Sequence, residues 1–288
     1  MSNFAMTIGL PGSGKSTFSR SMTSAGWVVH SSDSIRDELG LDPTKKEDNK
    51  VCFSTMKERT LSSLANNQDV IYDATNLTRK NRMALLKEVA PHAMMTTCVL
   101  FITPIDECKR RDSERDRHVG DEVIDRMVGQ FQLPWVYEGW GSIGVFPNSY
   151  ASTYVYPTEN MDQKNPHHKL GLLDHMIGAE KYAVDNEFSD AVVLAARYHD
   201  LGKYITQTLD DDGVAHYYNH HNAGAYMFLS GYTNPTDFDL YVANLINWHM
   251  APYMEWKKSE REMKDREMMG LQMYLDIMNL HKADEAAH

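Results

Sequence analysis

Over the first 135 residues, short apolar runs alternate with stretches of helical periodicity. Residues 4–8, 27–30, 70–73 and 97–102 are apolar runs of strand length. Residues 51–65 and 79–89 place apolar side chains at three- and four-residue spacing, as amphipathic helices do. Strands alternating with helices predict a parallel sheet with helices on both faces. Residues 137–166 lose this order. They are rich in Tyr, Trp, Gly, Pro, Ser and Asn, and read as a linker with a short hairpin around 153–156. Beyond residue 167 the pattern is almost wholly helical, with helices expected over 172–184, 190–199, 223–229, 240–249 and 268–287. The mixed-charge stretch 257–267 reads as a solvated helix or loop. The expected architecture is an α/β domain at 1–136, a linker at 137–166 and an all-α domain at 167–288.

Charge separates the same halves. Up to Val145 there are 18 Lys and Arg against 19 Asp and Glu; from Phe146 onward there are 11 against 21. An acidic second half argues against a long phosphate-tracking groove there. It suits a carboxylate-fed metal site or a small substrate. No apolar run reaches membrane-spanning length, and no basic-then-apolar leader is apparent, so no membrane partner is expected. The three cysteines form no C-x-x-C pair, which fits a reducing cytoplasm.

The first candidate chemistry is Gly9-Leu10-Pro11-Gly12-Ser13-Gly14-Lys15-Ser16, a complete G-x-x-x-x-G-K-[ST] phosphate loop between a strand and a helix. Backbone N–H groups of Gly12, Ser13 and Gly14, with the helix start at Thr17, would cradle the phosphates of ATP. Lys15 would reach the β/γ-phosphates and Ser16 would ligate Mg²⁺. Asp33 follows the second strand, where a carboxylate could accept a proton from an attacking hydroxyl or simply cap a helix. Arg36, one helical turn on, could hold the acceptor's phosphate. Asp73 ends another strand, where a second metal-shell carboxylate is expected. The run from Lys109 to His118 is dense in arginine, as a lid over the donor phosphates or a salt-bridged surface helix would be.

These segments resemble the kinase domain of phage-type polynucleotide 5′-kinases over roughly residues 1–135. The resemblance implies that Asp33 is the general base, Arg36 binds the acceptor 3′-phosphate and Arg115 binds the donor phosphates. Arg111 and Arg117 compete with Arg115 for that place.

Ten of the 13 histidines lie at or after His167. His175, the His199-Asp200-Leu201-Gly202-Lys203 run, His220-His221, His249 and Asp284 stand in order along the helical half. Imidazole with carboxylate suits divalent transition metals better than Ca²⁺, and helices can enclose such a site. This order, with Asn165-Pro166-His167-His168, resembles the HD-domain metal phosphohydrolases over roughly 165–288. The resemblance implies metal ligands at His175, His199, Asp200 and Asp284. For a second ion it implies His220 and His249, with Lys203 on a substrate phosphate. His221 competes with His220, and Asp276 with Asp284.

Together the resemblances imply a bifunctional end-healing enzyme acting on RNA or DNA ends. One site would phosphorylate 5′-hydroxyls from ATP and Mg²⁺. The other would hydrolyse 2′,3′-cyclic or 3′-phosphates with one or two ions of Mn, Ni, Co, Fe or Zn, and a nucleic-acid ligase would complete the repair. Two other readings stay open. One is a nucleoside or small-molecule kinase fused to an HD nucleotidase. The other is an ATP-gated regulatory module without turnover. The oligomeric state is open. Trp135, Tyr137 and Trp140 could stack bases or form a hydrophobic seam.

Overall fold

The structure is a computed structural model that describes residues 2–149, 160–165 and 169–287. The described residues divide into two compact units. The hairpin expected around 153–156 and the residues 166–168 lie outside the described residues. Among the described residues, no helix is long and apolar enough to cross a membrane.

The first unit takes in residues up to 124 together with 134–147. In chain order it runs β1 (Ser2–Ile8), α1 (Lys15–Thr23), β2 (Val28–Ser31), α2 (Ser32–Leu39) and α3 (Lys46–Ala65). It continues with β3 (Val70–Asp73), α4 (Arg79–Val89), β4 (Ala93–Phe101), α5 (Ile105–Ser113), the start of α6 (Asp121–Gly129) and β5 (Ser142–Phe146). The sheet order is β2-β3-β1-β4-β5, all parallel. The β1-to-β2 crossover runs across the sheet in the opposite direction to the other three. A common right-handed sense therefore puts α1 on the face opposite α3 and α4. The central strand β1 buries Phe4, Met6 and Ile8 completely, as a parallel strand covered on both faces must. Ser31 pairs with Asp73 at the carboxyl ends of β2 and β3. This is the edge where open α/β sheets bind ligands.

Two expectations differ from the structure. The stretch read as a linker contains β5, which pairs with β4 from Thr97–Ser142 to Phe101–Phe146. Ser-Ile-Gly-Val-Phe is short and interrupted by glycine, so its apolar signal is weak; the ladder to β4 makes it a strand. Helix α3 also begins five residues before the expected start. Glu47 and Asp48 occupy its first turn, where acidic side chains favour the helix dipole.

The second unit holds residues 125–133 and the described part of 148–288. Its elements after α6 are α7 (Leu172–Asp185), α8 (Asp190–Tyr198), α9 (Lys203–Thr206), a two-stranded hairpin of β6 (Thr208–Leu209) and β7 (Ala215–His216), and α10 (His220–Ser230). Then come α11 (Asp237–Trp248), α12 (Ser259–Met269) and α13 (Leu271–Ala286). Helix α11 opens with a capping box: Asp239 N–H donates to Thr236 Oγ1 at 3.3 Å, and Thr236 N–H donates to Asp239 Oδ2 at 2.7 Å. Asn222 and Asn247 tie 129–133 into this unit. Asn222 Nδ2 donates to the Gly129 carbonyl at 2.7 Å, and Leu133 N–H donates to Asn247 Oδ1 at 3.3 Å.

Candidate active sites

The phosphate loop joins β1 to α1. Gly12 and Gly14 have φ of +75° and +101°, a region that side-chain-bearing residues adopt at a cost. A Cβ on Gly12 would also overlap the Cys108 carbonyl oxygen. The loop is braced from the segment after β4, where Thr103 Oγ1 donates to the Ser13 carbonyl at 2.9 Å. Lys15 is buried and its Nζ donates to the Leu10 carbonyl at 2.6 Å and to Ser13 Oγ at 3.3 Å. Burial pushes its pKa down, and the nearby Asp73 carboxylate pulls the other way. Asp73 Oδ1 accepts from Thr7 Oγ1 at 2.9 Å. Ser16 and Thr17 are exposed at the start of α1.

Asp33 lies in the first turn of α2, which begins at Ser32, so it does not serve as the N-cap. Its carboxylate is exposed between two arginines, with Arg36 Nη1 at 3.4 Å and Arg115 Nη2 at 3.6 Å. Arg115 also faces buried Asp112 at 3.6 Å. Asp112 Oδ2 accepts from the N–H groups of Val119 at 2.9 Å and Gly120 at 3.0 Å, closing the lid segment on itself. Of the competing arginines, Arg111 donates to the Gly12 carbonyl at 3.2 Å and reaches the phosphate loop itself. Arg117 instead pairs with Asp37 at 2.9 Å on the surface. Asn76 turns the chain at φ +49° after β3, with Nδ2 donating to the Thr7 carbonyl at 2.8 Å. Trp140 is buried, its indole N–H donating to Glu138 Oε2 at 3.1 Å, while Tyr137 is exposed.

In the helical unit all six expected ligands converge. His175 comes from α7, His199 and Asp200 from the end of α8, His220 from the start of α10, His249 from the end of α11 and Asp284 from α13. They form two groups, His175–His199–Asp284 and Asp200–His220–His249, all buried. Asp200 belongs to both in effect. Its Oδ2 lies 3.4 Å from the Nε2 atoms of both His175 and His199, and its Oδ1 lies 3.1 Å from His220 Nε2 and 3.7 Å from His249 Nε2. Asp284 Oδ1 lies 3.1 Å from His175 Nε2 and 3.4 Å from His199 Nε2. His221 and Asp276 belong to neither group, although the His221 ring packs edge-on against His220 and His249. Asp276 accepts from Tyr241 Oη at 2.6 Å.

The donor set fits divalent metal for a specific reason. Each imidazole has Nδ1 against a backbone carbonyl: Ala287 for His175 at 3.3 Å, Ala196 for His199, Tyr217 for His220 and Ile246 for His249, each of these three at 2.8 Å. A carbonyl only accepts, so Nδ1 carries the proton. Each ring then turns its Nε2 inward. The Nε2 atoms lie close together, His175 with His199 at 3.2 Å and His220 with His249 at 3.1 Å, and they also face two carboxylates. Such a site calls for cations, and Nδ1 anchored on a carbonyl is the usual support of a metal-bound histidine. The same field acts on protons. Burial disfavours a charged His199, but Asp200 and Asp284 outweigh it and raise its pKa to about 10. His175 is likewise raised against burial by these carboxylates. His249 is held well below its ordinary value by burial and by His220 and His199. Burial opposes ionisation of Asp200 and Asp284, yet Lys203 and His199 hold Asp200 low, and His199 and His175 hold Asp284 low.

Sequence reasoning missed the supporting residues. Lys203, expected at a substrate phosphate, is buried with Nζ 2.7 Å from Asp200 Oδ2. It also donates to Gln163 Oε1 at 2.9 Å and lies 5.3 Å from the Tyr217 ring centroid. Tyr253 Oη donates to Asp284 Oδ2 at 3.0 Å; burial and that carboxylate push its phenol pKa up, which keeps it a donor. A lone Gln or Tyr outside any motif carries no sequence signal for such roles. Gly202 did carry one: a Cβ there would overlap the His220 carbonyl oxygen, so the His-Asp-Leu-Gly turn packs against α10 only as glycine.

Two family models match the chain. The AAA domain family model matches residues 4–134, and the HD domain family model matches residues 172–277. The chain joins an AAA domain of P-loop kinase type to an HD domain. Both are domains of enzymes, the first implying ATP with Mg²⁺ and the second divalent metal. Among solved structures, a chain of the Pnkp1/Rnl/Hen1 RNA repair complex is 22% identical over 46% of this AAA–HD chain and 44% of its own, with a TM-score of 0.42. A gluconokinase from Sinorhizobium meliloti 1021 is 17% identical over 50% of this chain and 81% of its own, at 0.37. A sugar kinase from Janibacter sp. HTCC2649 is 17% identical over 51% and 85%, at 0.40. The AAA–HD chain thus spans less than half the length of the repair-complex chain it matches. With TM-scores below 0.5, the fold assignment rests instead on the sheet order and the two domain matches.

Proposed function

We propose that this AAA–HD protein heals broken nucleic-acid ends, RNA foremost, by adding phosphate at the 5′ end and removing it at the 3′ end. One observation carries the reading. A single chain holds a complete phosphate loop with an Asp–Arg pair at its acceptor edge, and an enclosed cluster of four histidines and two aspartates.

In the kinase unit, the loop N–H groups and Lys15 bind the donor phosphates, and Ser16 and Asp73 serve the Mg²⁺ shell. Asp33 accepts the proton of the 5′-hydroxyl as that oxygen attacks the γ-phosphorus and the bond from it to the β,γ-bridging oxygen breaks, releasing ADP. Exposure of Asp33 leaves it open to an incoming acceptor. Arg36 grips the acceptor's 3′-phosphate, and Arg115, with Arg111 beside it on the loop, neutralises charge on the transferred group. In the HD unit, His175, His199 and Asp284 would hold one divalent ion and Asp200, His220 and His249 a second. Bound divalent metal there supplies a hydroxide nucleophile near neutral pH and Lewis-acid charge. Lys203 holds Asp200 in orientation and balances its charge. The substrates are 2′,3′-cyclic or 3′-phosphate ends, and Mn, Ni, Co, Fe and Zn are the candidate metals. The products, a 3′-hydroxyl and a 5′-phosphate, are what a nucleic-acid ligase consumes, so a ligase is the expected functional partner and the cytoplasm the expected compartment.

The test uses labelled ATP with a 5′-hydroxyl oligonucleotide and, in parallel, nucleosides. Oligonucleotides with 2′,3′-cyclic or 3′-phosphate ends are offered with Mn²⁺, Ni²⁺ or Co²⁺. Asp200→Ala is expected to abolish end hydrolysis and spare phosphorylation; Lys15→Ala and Asp33→Ala are expected to do the reverse. Transfer to nucleosides alone would replace this reading with small-molecule metabolism, and no transfer at all would favour an ATP-gated module.

A further inference from the structure

Arg36 is held by a second helix that no motif marks. Its guanidinium lies on α2, and α3 supplies two contacts to it. Nη2 donates to Asn49 Oδ1 at 2.9 Å, and Cζ lies 5.6 Å from the centroid of the Phe53 ring. Asn49 and Phe53 are four residues apart, one turn of α3, and so share a face. The Asn49 amide has its orientation dictated. Its Nδ2 donates to the carbonyls of Pro43 at 2.7 Å and Lys45 at 3.0 Å, which leaves Oδ1 as the end that faces the arginine. The guanidinium is thereby gripped on one edge by an oriented acceptor and on one face by an aromatic ring. Asp33 Oδ1 flanks it at 3.4 Å. Only 12% of the Arg36 side chain is exposed, while Phe53 remains more than one-third exposed.

A planar cation held this way recognises an anion in one orientation, beside the carboxylate that takes the hydroxyl's proton. A site built to bind a charged group discriminates strongly against an acceptor lacking it. We propose that Asn49 and Phe53 are positioning residues that set acceptor specificity. By orienting Arg36 they make the kinase select nucleotides bearing a phosphate on the 3′ side over free nucleosides. This rests on the end-healing reading of the kinase unit.

The experiment compares adenosine 3′-monophosphate with adenosine as phosphate acceptors, in full-length protein, and measures binding of the first by calorimetry. Wild type is expected to show the lower KM for the 3′-monophosphate. Asn49→Ala should raise that KM about tenfold and Phe53→Leu about threefold, with kcat within about twofold and the KM for adenosine unchanged. Phe53→Tyr, which keeps the ring, should restore the wild-type preference. Matching melting temperatures for Phe53→Leu and Phe53→Tyr would confine the effect to the contact with Arg36. Variants that keep the wild-type preference, or that slow both acceptors equally, overturn the proposal and leave the end-healing reading standing. A wild-type protein that phosphorylates adenosine as well as its 3′-monophosphate, and no oligonucleotide, overturns both.

Discussion

At the scale of single residues, the HD site is governed by where protons and lone pairs are forced to sit. Four Nδ1–H groups are spent on carbonyls, so four Nε2 atoms and two carboxylates share one enclosed space. The raised pKa values of His175 and His199 mean that the metal-free site holds protons which metal must expel. Metal affinity is therefore expected to rise with pH from about 6.5 upward, toward the value of about 10 reached by His199; calorimetric titration with Mn²⁺ at several pH values measures it. An affinity that falls over this range would contradict the assignment of these histidines as ligands. Tyr253 gives a second residue-scale prediction. It supports Asp284, which serves the His175–His199 side. Tyr253→Phe is expected to weaken binding of one ion by about tenfold, the size of a lost second-shell hydrogen bond, and to spare the other. Two-site metal titration separates the two. Asp276 competes with Asp284 in the sequence, and both lie on α13. Which of them faces the histidines is a matter of helix phase, visible in the fold.

At the scale of elements, two glycines do different work. Gly202 has an ordinary helical backbone, φ −65°, so its requirement is purely one of space. Any Cβ there meets the carbonyl of His220, itself a candidate metal ligand. Gly202→Ala is expected to push α10 away from the His199-Asp200 turn, costing about 4 kcal/mol or more of stability, at the exceptional end of single substitutions, with loss of metal binding. Gly144, in edge strand β5, has open space around its added Cβ. Gly144→Ala should leave the melting temperature within a few degrees of wild type, or raise it slightly, since a strand glycine is entropically costly. Thermal melts of both variants, with metal content, check the contrast. The strands β1 and β3 and helix α4 were legible because their apolar spacing is strong and local. Strand β5 was not, because an edge strand takes its order from the ladder to β4 rather than from its own five residues.

At the scale of the molecule, charge limits how substrate is held. The second half carries an excess of ten acidic residues, and the kinase unit offers Arg36, Arg111 and Arg115 around its loop. A footprint of two or three phosphates gives a salt slope for single strands of about −1.4 to −2.1. Oligonucleotide affinity is then expected to fall only about tenfold between 50 and 200 mM salt, against the 10³–10⁵-fold of proteins that track many phosphates. Fluorescence anisotropy with a short 5′-hydroxyl strand measures it, and a far steeper loss would indicate a long groove. A short footprint fits an enzyme that works on ends.

What the sequence determined by itself was the chemistry carried by local spacing. The phosphate loop is eight consecutive residues, and the six candidate metal ligands stand in recognisable order, so both could be read before any fold was known. Packing alone set which groups face each other across distant segments. Asp200 touching both histidine pairs, Tyr253 behind Asp284, Lys203 turned to Asp200, and Asn49 with Phe53 around Arg36 all depend on helix phase and on backbones brought together by packing. Those relations are set by the burial of whole elements, and no short stretch of sequence contains them.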